Sequence, residues 1–97
     1  MSFKFKGKSF YLFSSWDDEN QIQYAGEALD EPDYHHYVTV NKGNLGRTKL
    51  HAAYLVPDNH YEEALEIVRK RAELKKKFDD SMKLVYNFRD RIFNEAE

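Results

Sequence analysis

The sequence predicts an α+β fold: a small antiparallel sheet of three to four meandering strands, followed by a long C-terminal helix or helix pair. Three observations carry this. The run "YHHYVTV" (34–40) is β-branched and aromatic, the composition that fits a pleated, half-buried surface. The turn-forming "NKGNLG" follows it and leads into "RTKLHAAYLV", which predicts a hairpin. From Tyr61 to Ala96 there is neither Gly nor Pro, and apolar residues recur at helical spacing. With 97 residues the chain is one domain's worth, divided as a sheet part (1–57) and a helical part (58–97).

The opening "FKFKGKSFYLF" reads as the first strand. Alternation puts Phe3 and Phe5 on one face and Lys4 and Lys6 on the other, with Gly7 as a bulge or turn. "SSWDDEN" (14–20) is turn chemistry, since Ser, Asp and Asn side chains bond the local backbone. "QIQYAGEAL" is a shorter, weaker strand, interrupted by Gly26 and ended by the acidic "DEPD" with Pro32.

In the hairpin, pairing Asn41 with Arg47 puts Val40 opposite Thr48, Val38 opposite Leu50 and Tyr37 opposite His51. The even positions from Tyr34 to Val40, with Thr48, Leu50 and Ala52, then face the core. Tyr37, Thr39, Lys49 and His51 face outward. Pro57 ends the strand, and Asn59 with Glu62 fits a helix-capping box.

The helical pattern runs through Tyr61, Ala64, Leu65, Val68, Ala72, Phe78, Met82, Val85, Phe88, Ile92 and Ala96. A continuous helix over 61–96 would span about 54 Å. A domain of this size is roughly 35 Å across. Either the helix breaks near Asp79, Asp80 or Ser81, or its tail projects. A projecting tail bearing Phe78, Met82, Val85, Phe88 and Ile92 is sticky and predicts self-association, most simply a homodimer.

Composition narrows the function. There is no Cys, which excludes disulfides, thiolate metal sites and thiol catalysis. No apolar run approaches the length of a membrane span, and the N-terminus lacks the apolar core of a signal peptide, so no membrane role and a cytoplasmic home are expected. Net charge is −2, which gives no global signal for nucleic acid, but the charge is blocked. Residues 17–33 hold seven acids and no base, whereas residues 1–16 hold Lys4, Lys6 and Lys8 and no acid.

No cofactor, metal or catalytic role is expected. His35 and His36 are adjacent on a strand and face opposite ways, so with His51 and His60 they do not converge as zinc ligands. No Ser sits in a nucleophile elbow, and "GNLGRT" lacks the Lys-Ser/Thr ending of a phosphate loop. The remaining candidates are contact residues: Lys4, Lys6 and Lys8 on the first strand, and Tyr37, Lys42, Arg47, Lys49 and His51 on the hairpin. Outward lysines also protect sheet edges from aggregation, so their charge is weak evidence by itself. Small, cysteine-free, aromatic and strongly charged chains are common among accessory proteins of phages and mobile elements, which bind and block a host component. The expected function is a non-catalytic protein-binding module, an inhibitor or adaptor, with RNA binding through the basic residues as the alternative.

Overall fold

The computed structural model describes residues 3–43, 46–75 and 81–94. Five antiparallel strands precede two helices: β1 (Ser9–Phe13), β2 (Ile22–Ala28), β3 (Tyr37–Asn41), β4 (Arg47–His51), β5 (Leu55–Pro57), α1 (Tyr61–Lys75) and α2 (Met82–Asn94). The α+β arrangement is as the sequence predicts, with five strands rather than three to four. Strand order is β4-β3-β2-β1-β5, a meander whose last strand returns to the far edge.

That order forces the sheet to curl. In a flat sheet four strand spacings, about 19 Å, separate β4 from β5. The chain from residue 51 to 55 reaches at most about 14 Å. β4 and β5 are two halves of the run expected as one strand, bent by a 3-10 turn at Ala52–Tyr54. His51 caps that turn, its Nδ1 accepting the Ala53 amide at 3.0 Å.

Gly26 does not end β2, which continues to Ala28. It sits at a bulge, where Phe10 pairs with Gly26 and Tyr11 with Tyr24. Its φ is +111°, and a Cβ there would lie 2.3 Å from the Asn41 carbonyl oxygen. Beyond the bulge β2 stays beside β1, with Glu27 opposite Ser9, and on its other side pairs with β3 through Glu27–Asn41 and Ala28–Val40.

The β3–β4 register is the expected one throughout, from Tyr37–His51 to Asn41–Arg47. β3 itself is shorter than predicted. Asp33 Oδ1 accepts the amides of His35 and Tyr37, and His36 has φ 68°, so residues 34–36 form a turn. Val38 and Val40 are buried, but Tyr34 and His36 are exposed, and Thr48 at the edge is exposed too. The Phe/Lys alternation of residues 3–6 is likewise not a strand. Glu31 holds this segment instead, its carboxylate accepting the Phe5 and Lys6 amides.

Two apolar clusters result. One fills the curl of the sheet around Phe5, Phe10, Ala25, Val38, Val40 and Leu55. The other lies between the outer face of β1 and β5 and the helices, around Phe13, Trp16, Val56, Val68, Phe88 and Ile92. Alternation along β1 sends Phe10 to the first and Phe13 to the second, so this edge is buried on both faces.

The helical region is a pair, not one rod. α1 ends at Lys75 and α2 begins at Met82; residues 76–80, with Phe78, Asp79 and Asp80, lie outside the described residues. Ser81 is buried, and its carbonyl accepts the Leu84 amide. Folding back lets α2 lie on its own sheet. Val85, Phe88 and Ile92 are buried there and Met82 packs against the same cluster, so the stripe expected to await a second copy is covered by the chain itself. At the other end, Asp58–His60 forms a 3-10 turn running straight into α1. Asn59 is thus inside the helical run and does not cap it. No helix of the described residues is long and apolar enough to cross a membrane.

Candidate binding groove

α2 carries one residue that breaks its apolar stripe. Between Val85, Phe88 and Ile92, Arg89 occupies an inward-facing position. Its Nη1 donates to the Leu55 carbonyl at 2.9 Å and its Nη2 to the Ala52 carbonyl at 2.7 Å. These are carbonyls at the two ends of the turn that joins β4 to β5, so the arginine ties α2 to the bend in the sheet. The guanidinium lies 4.6 Å from the centre of the Phe93 ring, one helical turn on. Burial lowers the Arg89 pKa to about 10, so it stays charged at neutral pH.

Arg89 differs from its neighbours in what it pairs with. Arg69 meets Glu19 at 2.8 Å, Arg71 meets Asp17 at 3.1 Å, and Arg91 meets Glu63. Among the described residues no carboxylate pairs with Arg89.

A groove of about 700 Å³ opens beside it, within the range of ligand sites. Phe3, Phe5 and Phe93 form one wall, and His36 and His51 another. Phe5 stacks on Phe93 at 5.6 Å, and Phe3 meets Phe93 edge-on at 4.8 Å, so the wall is a fixed aromatic surface. None of the described residues lining it is acidic. A second depression of about 290 Å³ lies on the other side of Arg89, lined by Trp16, Tyr54, Met82, Tyr86 and the acidic Asp90. Ala53 and Arg89 border both, so the two depressions adjoin at Arg89. Tyr54 and Tyr86 are 48% and 60% exposed on its rim.

The contact residues expected from sequence are brought together only in part. Tyr37 and His51 meet at 5.2 Å, and His51 reaches Tyr54 at 6.0 Å, joining the hairpin's outer face to the groove. Lys4 and Lys6 are exposed, but the Glu31 carboxylate sits between their segment and the following loop. Desolvation raises the Glu31 pKa, while the Phe5 and Lys6 amides, with Lys4 and Lys8 nearby, outweigh it and leave the pKa lowered. Lys8 folds back, its Nζ donating to the Lys4 carbonyl and lying 4.5 Å from the Phe3 ring centre. Lys49 lies 4.0 Å from Asp33. Arg47 is exposed and Lys42 half-buried at the hairpin tip.

These cations do not form one surface. Ser9, Glu27, Asn41 and Arg47 are in register across four strands. Three spacings, about 14 Å in a flat sheet, separate the ends of that row, and the exposed Glu27 stands between them.

Arg89, Phe3 and Phe93 were not among the residues singled out from sequence. The available signal was an arginine at an inward position of an otherwise apolar helical stripe. Among the described residues no group of three or more His, Cys, Asp or Glu converges to hold a metal ion. Comparison of the chain with protein-family models, curated proteins and solved structures finds no match.

Proposed function

We propose that the protein is a non-catalytic protein-binding module, an inhibitor or adaptor, whose contact surface is the groove along α2 and its tyrosine rim. The observation that supports this is the pairing of a preformed aromatic groove with exposed Tyr37, Tyr54 and Tyr86 around it. Tyrosines of this kind supply large contact area at low entropic cost and are enriched among residues that dominate binding energy. A nuclease-treated pull-down compares wild type with a Tyr54→Ala/Tyr86→Ala variant. A protein captured by wild type and lost with the variant supports the reading. Capture that disappears on nuclease treatment overturns it.

RNA binding is the second reading, and it rests on Tyr37 and His51 beside Lys49 on the hairpin's outer face. Glu27, Glu31 and Asp33 interrupt the cations a phosphate backbone would follow, which weighs against it. A mobility-shift titration of short RNAs at low salt tests it, and the expected result is no shift.

A further inference from the structure

We infer that Arg89 reads a carboxylate on the partner: an Asp or Glu side chain, flanked by an apolar residue, on a peptide segment that lies in the groove between α2 and the β4–β5 turn. This rests on the proposal that the groove is a protein-docking surface and names the chemistry it selects.

The argument is one of charge and donors. A guanidinium has five N–H groups. Two of Arg89's are used by the Leu55 and Ala52 carbonyls, which neutralise no charge. Three remain, on a fork whose plane is fixed by those two bonds and by the Phe93 ring beneath. A fork held in this way loses little freedom on receiving a carboxylate, and such pairs are short and directional. The walls reinforce the selection. His36 and His51 offer further ring nitrogens, and among the described residues no acid lines the depression walled by Phe3, Phe5 and Phe93; Asp90 lines the one on the other side of Arg89, which places the carboxylate on the Phe93 side.

Scale separates a peptide from a nucleic acid. A phosphate backbone needs a track of cations along its length. Here, among the described residues that line the depression, one permanent cation is set among Phe3, Phe5, Phe93, Ala52 and Ala53. One charge within apolar walls matches one carboxylate beside an apolar side chain.

The test pans a displayed library of random short peptides against the full chain, then measures synthetic copies of those enriched. Enriched sequences should carry Asp or Glu next to Phe, Leu, Ile or Met. Replacing the acid by its amide should weaken binding to the wild-type protein roughly tenfold to hundredfold. Arg89→Met should weaken the acidic peptide by a similar factor and the amide version by much less, so that the preference for acid over amide disappears. Because Arg89→Met also removes two bonds to the sheet, the acid-to-amide comparison on wild type stands by itself if that variant fails to fold. Peptides that bind equally well as acid and amide would overturn the carboxylate inference and leave the docking surface intact. An acid preference that survives Arg89→Met places the reader elsewhere and also overturns it. If no peptide is enriched, both the inference and the docking reading fail.

Discussion

Replacing Gly26 by Ala tests the geometry that bends the sheet. The added Cβ would stand 2.3 Å from the Asn41 carbonyl oxygen and 2.8 Å from its carbonyl carbon. Non-bonded carbon contacts are comfortable near 3.5 Å, so β3 must retreat by about 1 Å. Both atoms are backbone and cannot rotate away. The retreat weakens the short β2–β3 ladder, which consists of the Glu27–Asn41 and Ala28–Val40 pairs, at about 1 kcal/mol per hydrogen bond. Holding a side chain at φ +111° costs a further 1–3 kcal/mol or so. The expected loss is about 3–5 kcal/mol, a large part of the 5–15 kcal/mol or so of a typical domain. Urea unfolding followed by the fluorescence of the buried Trp16 reads it directly. Gly7→Ala is the control: φ there is +85°, with nothing within 4 Å of the added carbon, so only the backbone term of about 1–2 kcal/mol applies. If Gly26→Ala costs no more than Gly7→Ala, the close approach of β2 to β3 and the curl built on it are wrong.

Three further outcomes follow from the packing and the ion pairs. Phe88→Ala should lower stability by about 3–4 kcal/mol through a cavity between the helices and β1, read as a lower urea midpoint independent of protein concentration; a concentration-dependent shift would mean the side chain serves an interface instead. Asp17→Asn should cost about 1–2 kcal/mol, discounted for the exposure of Asp17, because it leaves the nearly buried Arg71 without its carboxylate; an unchanged midpoint refutes the pairing. Glu31→Gln should cost about 1 kcal/mol near neutral pH. Because the Glu31 pKa is depressed on folding, its contribution is present above the ordinary value of 4.5 and is lost as the pH falls through the lower folded value. Midpoints of wild type and variant should therefore converge in acid, and a gap that persists there contradicts the role given to the Phe5 and Lys6 amides.

Local features were legible because they depend on near neighbours in the chain. The alternation of Tyr37 to Asn41 and the turn after it set the hairpin register, since a slip by one residue would expose Val38 and Val40. Helical spacing with no Gly or Pro marked the helices. Ser15, Asp18 and Asn20 made the expected turn, with Asp18 accepting the Asn20 amide at 2.9 Å. These are choices of dihedral angle and face, made within a few residues.

The structure alone decided what lies far apart in sequence. Alternation in residues 3–6 looked like a strand, but the partner of that backbone is a carboxylate some 25 residues on, and side-chain bonds of that range leave no periodic trace. Gly26 read as a break because its need for positive φ comes from Asn41, on another strand. The stripe Val85, Phe88 and Ile92 was visible as apolar, yet whether it met a second copy or the chain's own sheet depended on the helix folding back. The same event set Arg89, half-buried, against the carbonyls of residues 52 and 55. The sequence shows which residues are apolar or charged; only the meeting of α2 with the bent edge of the sheet turns one of the three cationic residues of α2, Arg89, into a half-buried cation facing an aromatic groove.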